Sequence, residues 1–168
     1  MAEITPAATR RTITLERFYD APIETVWELW TTKAGIESWW GPAGFTTGVT
    51  AIDVRPGGRI VYVMSASEPE TREFLERRGM PLSTEQVLTI HEVALHRRLV
   101  TSNVIDFIPG VPAYEVGMAV DLDATASGTR LVVRLDAMHD QHWTEMAVQG
   151  WESQLVNLAR VVAKRSSQ

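Results

Sequence analysis

From Asp140 to Lys164 the chain has no proline, and Trp143, Met146, Ala147, Gly150, Trp151, Gln154, Leu155, Leu158 and Val162 fall on one stripe of a 3.6-residue period. Such a helix would run about 35 Å at about 1.5 Å per residue, so its apolar stripe needs an equally long surface to lie against. Asp140 is placed to cap its start, and Lys164 and Arg165 complement the negative end of its dipole. A glycine inside it, Gly150, costs about 1 kcal/mol relative to alanine. The expectation is close packing against a bulge of the facing sheet, with a ligand approaching the backbone as the alternative.

The surface for that helix comes from the segments before it. Arg11–Tyr19 alternates, with Ile13, Leu15 and Arg17 on one face. Pro22 and Glu24 suit the first turn of a short helix carrying Val26, Trp27, Leu29 and Trp30. A second short helix, about Lys33 to Trp40, stops at Gly41-Pro42. Phe45–Val54 and Arg59–Ser65 read as a hairpin turned by Arg55-Pro56-Gly57-Gly58. Residues 67–83 break the β rhythm: Thr71–Arg78, between Pro69 and Gly79-Met80-Pro81, reads as an amphipathic helix with Phe74 and Leu75 as its contacts. Gln86–Val93, Arg98–Asp106, Tyr114–Asp123 and Thr129–Ala137 are strand candidates again. One strand, two short helices, six strands and a long helix specify an α+β protein, with a curved antiparallel sheet carrying its helices on one face. The expected organisation is a flexible N-terminus, 1–10, and a single domain, 11–165, with 67–83 inserted between strands.

Composition removes several classes of function. There are no cysteines among the 168 residues, which excludes disulfides, thiolate metal sites and a cysteine nucleophile. A formal charge of −5 argues against a broad nucleic-acid surface. No apolar run approaches the length of a membrane span, and residues 1–14 lack the apolar core of a secretion signal, so the expected setting is cytoplasmic. No phosphate loop, dinucleotide fingerprint or Gly-x-Ser-x-Gly elbow is present. No cofactor and no metal are expected. His139 and His142 at the helix start have the spacing of a metal pair but no third ligand at a recognisable distance.

The stretch Trp39-Trp40-Gly41-Pro42 with Gly44-Phe45-Thr46, followed by Asp53-Val54-Arg55-Pro56-Gly57-Gly58, resembles the Hsp90-ATPase-activator homologue family of the START-like, or Bet v 1-like, superfamily. The resemblance continues through Gly79-Met80-Pro81-Leu82-Ser83-Thr84 and Phe107-Ile108-Pro109-Gly110-Val111. It closes with Met138-His139-Asp140, Trp143-Thr144-Glu145 and Gly150-Trp151-Glu152-Ser153-Gln154-Leu155, covering roughly residues 11 to 163. It implies a helix-grip fold, a sheet wrapped around the C-terminal helix with an internal cavity, and a homodimer. The superfamily spans carriers, cyclases and chaperone regulators, so activity has to be argued from the site.

A small apolar or aromatic ligand held between sheet and C-terminal helix is the leading expectation. Its contacts would come from Met64, Phe74, His91, Phe107, Tyr114, Met118, Trp143, Met146, Trp151 and Gln154, with His91 or Gln154 orienting it. The parity of Gln86–Val93 leaves two faces in competition, one with Val87, Thr89 and His91, the other with Leu88 and Ile90. A cofactor-independent cyclase or isomerase is the second expectation, with His91 and Tyr114 as its catalytic candidates. A chaperone-regulating or protein-interaction module, with a filled interior, is the third. Trp40 beside Gly41-Pro42 is a candidate gate to the cavity, and the run Arg72–Arg78 reads as a solvated helix face or, alternatively, as a lid with Phe74, Leu75 and Met80 beneath it.

Overall fold

In the computed structural model of the chain, which describes residues 11–166, the elements follow the order β1 (Thr12–Tyr19), α1 (Ile23–Thr31), α2 (Lys33–Trp39), β2 (Phe45–Ile52), β3 (Arg59–Ala66), α3 (Pro69–Arg77), β4 (Ser83–Ala94), β5 (Arg98–Ile105), β6 (Tyr114–Ala124), β7 (Thr129–Asp136) and α4 (Gln141–Ser166). The expected N-terminal segment, 1–10, lies outside the described residues. The strands form one curved antiparallel sheet in the order β1-β7-β6-β5-β4-β3-β2, and α4 lies along its concave face. This is the helix-grip α+β fold.

Period-two patterning builds the inner wall. Leu15 and Tyr19 of β1, Ile60 and Tyr62 of β3, Leu88 and Ile90 of β4, Leu99 and Thr101 of β5, Met118, Val120 and Leu122 of β6, and Leu131, Val133 and Leu135 of β7 are all buried. The apolar members of this wall share one core with Leu155, Leu158 and Val162 of α4. Arg17, on the inner parity of β1, pairs with Glu152 of α4 and ties sheet to helix. The convex face carries cross-strand ion pairs. Asp121 of β6 sits 2.8 Å from both Arg98 of β5 and Arg134 of β7, and Arg130 reaches Glu16 of β1 at 2.5 Å.

The short helices brace one end through tryptophans. Trp30 packs edge-on to Trp39 and Trp40, at 4.7 and 5.7 Å between ring centroids, and stacks on Trp151 of α4 at 6.0 Å. The Trp39 indole N–H is not left unpaired by this burial, since it donates to the Leu29 carbonyl at 2.8 Å. β2 is an edge strand, and α2 covers its outward backbone. Glu37 Oε2 accepts from Val49 N–H at 2.9 Å, while Lys33 Nζ donates to the Val49 carbonyl at 2.7 Å. The Val49 amide foremost, then Lys33, holds the Glu37 carboxyl below the usual carboxylate range. Among the described residues no helix is long and apolar enough to cross a membrane.

Candidate functional site

Beyond the tryptophan brace the concave face and α4 part, leaving a cavity of about 350 Å³. Its helix wall is Trp143, Met146, Ala147, Gly150, Trp151 and Gln154, which recur every three or four residues along α4. Its sheet wall runs from Tyr62 and Met64 of β3 through Thr84, Gln86 and Leu88 of β4, Asn103 and Ile105 of β5, Val116, Gly117 and Met118 of β6, to Leu135 and Asp136 of β7. The segment between β3 and β4 closes a third side with Leu75, Met80, Pro81 and Leu82. Phe45, Trp40 and Phe107 add aromatic surface.

Several features hold this space open. A Cβ added to Gly150 would meet nothing within 4 Å, so this glycine opens on the cavity and is not packed against a sheet bulge. The turn after α2 is clamped to α4 from both sides: Gly41 N–H donates to Gln154 Oε1 at 2.8 Å, and Asn157 Nδ2 donates to the Gly41 carbonyl at 3.1 Å. Gln154 therefore uses its carbonyl for the fold, and its amide NH2 is the group it can offer inward. Trp40 is only 6% exposed and locked among Trp30, Trp39, Tyr62 and Trp151. It is a wall of the cavity, and the expected gating role has no room to operate. At the start of α3, Gly44 adopts φ +90° beneath Thr71, and its carbonyl accepts from Ser67 N–H at 2.8 Å. This contact seats α3 over the cavity.

Polar groups in the wall are few. Asn103 Nδ2 donates to Gln86 Oε1 at 3.3 Å across β4 and β5. Asp136 Oδ2 accepts from Gly117 N–H at 2.7 Å, where the β6–β7 ladder has ended at Met118 and Leu135. The phenol of Tyr62 is pushed up to about 12 by burial, with Trp40 opposing, and stays neutral at physiological pH.

Of the residues expected from sequence, Met64, Phe107, Met118, Trp143, Met146, Trp151 and Gln154 line the cavity, and three do not. His91 lies on the convex face with Nε2 2.6 Å from Ser102 Oγ, because the inward parity of β4 belongs to Gln86, Leu88 and Ile90. Tyr114 is buried in a neighbouring small cluster with Ile105 and Ile108, and its hydroxyl is 2.8 Å from His139 Nδ1. Phe74 is 42% exposed beneath the Arg78 guanidinium, 4.1 Å from its ring centroid, while Leu75, one residue on, takes the inward position. Neither catalytic candidate reaches the cavity. His139 instead belongs to the start of α4: its Nε2 lies 3.3 Å from Asp140 Oδ2, and Asp140 Oδ1 caps the helix by accepting from Trp143 N–H at 2.8 Å. Among the described residues no three His, Asp or Glu side chains are arranged to hold a metal ion.

Sequence reading missed Asp136, Asn103, Gln86 and Tyr62. Asn103 and Gln86 had a usable signal, since each lies in register with apolar residues two positions away on its strand. Asp136 had none, because its role depends on where the ladder stops.

Set beside known proteins, residues 20–163 match the family model described as activator of Hsp90 ATPase homolog 1-like protein. Solved structures share the fold: a Chromobacterium violaceum protein at TM-score 0.72 and 21% identity, covering 90% of this chain and 96% of its own. An AHSA1 protein of Silicibacter pomeroyi gives TM-score 0.73 and 18% identity over 92% and 99% of the two chains. The solution structure of an AHSA1-like protein from Aeromonas hydrophila gives 0.71 and 20% over 94% and 96%. Among curated proteins none matches. The chain belongs to the activator of Hsp90 ATPase homolog 1-like family, with the START-like fold of the Bet v 1-like superfamily.

Proposed function

We propose that this protein binds a small apolar or aromatic molecule in the cavity between its sheet and α4. The observation that carries the reading is Gly150. A mid-helix glycine costs about 1 kcal/mol relative to alanine, and the space its missing side chain leaves is cavity and not a packing contact. The volume of about 350 Å³ falls within the range of small-molecule sites, roughly 300–1,000 Å³. The wall is apolar and aromatic with a few polar groups, which is the composition such sites use. Methionines 64, 118, 138 and 146 line it and can adapt to different shapes. An interaction module with a filled interior finds no comparable support. Catalysis through His91 or Tyr114 finds none either, since neither lines the space.

The test is native mass spectrometry of the protein purified from its own host, compared with its denatured mass. A reproducible excess mass that is lost or reduced in Gly150→Leu, whose side chain projects into the cavity, supports binding. An excess mass unchanged in amount in Gly150→Leu, or no binding of any apolar probe to the purified protein, rules the reading out. The same spectrum reads the expected homodimer directly.

A further inference from the structure

The amide side chains lining the cavity have more N–H than carbonyl oxygen to spare. Gln154 is the best-defined donor. It is only 4% exposed, and its Oε1 accepts from Gly41 N–H at 2.8 Å, so turning the amide end for end would set one N–H against another. Its Nε2 meets no partner among the described residues, yet it is not one of the buried polar atoms sealed off from solvent. The space that Gln154 lines is the cavity. On the opposite wall Gln86, 8% exposed on the inward row of β4, is bonded to Asn103 at 3.3 Å. Whichever of these two amides donates, the bond leaves over more N–H groups than carbonyl oxygens. Among the described residues that line the cavity there is no arginine, lysine or histidine. The one charged side chain, Asp136, stands on the strand parity opposite the inward Leu135, and its Oδ2 is taken by Gly117 N–H at 2.7 Å. A plain hydrocarbon in this space would expel water and leave the amides unpaired, which costs their desolvation penalty. A carboxylate would find N–H groups but no counter-charge, and an ammonium would face donors like itself.

Resting on the cavity-binding reading above, we infer that the ligand is an uncharged apolar molecule bearing a carbonyl group, which accepts a hydrogen bond from the Gln154 amide NH2. The Gln86–Asn103 pair suits a further acceptor toward the sheet. Hydrophobic acids and amines are disfavoured by the same wall.

The experiment titrates the full chain, at neutral pH, with probes that share a phenyl ring and a butyl chain: butyrophenone, butylbenzene, phenylbutyrate and phenylbutylamine. Affinities are read by calorimetry. Butyrophenone is expected to bind about tenfold tighter than butylbenzene, the worth of a hydrogen bond that would otherwise go unmade. Both ions should bind at least about tenfold more weakly than butyrophenone. Gln154→Glu keeps an acceptor for Gly41 N–H but replaces the amide NH2 by a carboxylate oxygen, and should erase the ketone's advantage over butylbenzene. The carbonyl stretch of butyrophenone bound to wild type should lie below its frequency in alkane solvent, which reads the hydrogen bond directly and needs no variant. Butylbenzene or either ion binding as tightly as the ketone, a ketone preference that survives Gln154→Glu, or an unshifted carbonyl stretch overturns the carbonyl assignment, while butylbenzene binding leaves the cavity reading standing. Failure of all four probes overturns both. The wild-type ranking and the carbonyl stretch decide the matter if Gln154→Glu does not fold.

Discussion

Two residues in the wall carry opposite kinds of information. Gly150 is a local cost inside an otherwise regular helix, with open space in front of it. Replacing it by alanine restores helix propensity without a clash, and the expected gain is about 1 kcal/mol in urea unfolding. A loss on Gly150→Ala would show that the position is not open and would remove the observation on which the binding reading rests. Tyr62 stores a pH dependence. Its folded-state pKa is raised to about 12 from an ordinary 10.0. Above pH 10 the unfolded phenol loses its proton first, the unfolded state binds fewer protons, and stability falls until the folded phenol also ionises. That contribution is fully present below about pH 10 and lost by about pH 12, about 3 kcal/mol in all. Burial raises Tyr19 in the same direction. Urea unfolding below and within this window should show a steep alkaline loss in wild type and a shallower one in Tyr62→Phe. Equal slopes would mean the phenol is solvated.

At the scale of elements, α3 is the least anchored wall. Of its own residues only Leu75 is buried, and its attachment runs through Thr71 over Gly44 and Ser67 to the Gly44 carbonyl. An alanine at Gly44 would combine a positive φ with a Cβ 2.1 Å from Thr71 Oγ1. The cost is about 1–3 kcal/mol of backbone strain, relieved by lifting α3. Hydrogen exchange should therefore quicken in residues 67–83 of Gly44→Ala while the core-facing half of α4 keeps its protection. Acceleration spread evenly over sheet and α4 would show that Gly44 supports the whole fold and not this cover. The element also shows what a pattern can and cannot say. Proline and glycine on either side announced a helix here, yet Phe74 and Leu75 look equally apolar in sequence, and only the direction of docking sends one inward and the other under Arg78.

For the whole molecule, a carried ligand and stability are linked. Anything bound to the folded state alone stabilises it, by about 2.7 kcal/mol at a hundredfold excess over its dissociation constant. Protein unfolded, washed and refolded should then have a lower urea midpoint than protein taken directly from its host. The difference should be absent or smaller in Gly150→Leu, and identical midpoints in wild type would mean that no tightly held molecule co-purifies. The sheet's open ends set the frame for this. β1 and β2 are its edges, and β2 is covered at Val49 by Lys33 and Glu37.

Which residues form strands and helices was legible without the structure, because period two and period 3.6 are properties of neighbouring residues. The α4 stripe, the Asp140 cap and the inward rows of β6 and β7 all follow from it. The family was legible too, from short motifs around Trp39-Trp40-Gly41-Pro42 and Arg55-Pro56-Gly57-Gly58. The cavity's chemistry was not. Whether β4 turns His91 or Gln86 inward depends on its register against β3 and β5, and one residue of slip exchanges the faces. Tyr114 lies on the inward row of β6 yet beyond the cavity, because Met138 and Trp143 close around it at the start of α4. Asp136 becomes a wall group only where the β6–β7 ladder stops and its carboxylate takes over the next amide. Local periodicity decides elements, whereas register, ladder ends and the docking direction of α3 are long-range choices, and here those choices decide what the cavity can hold.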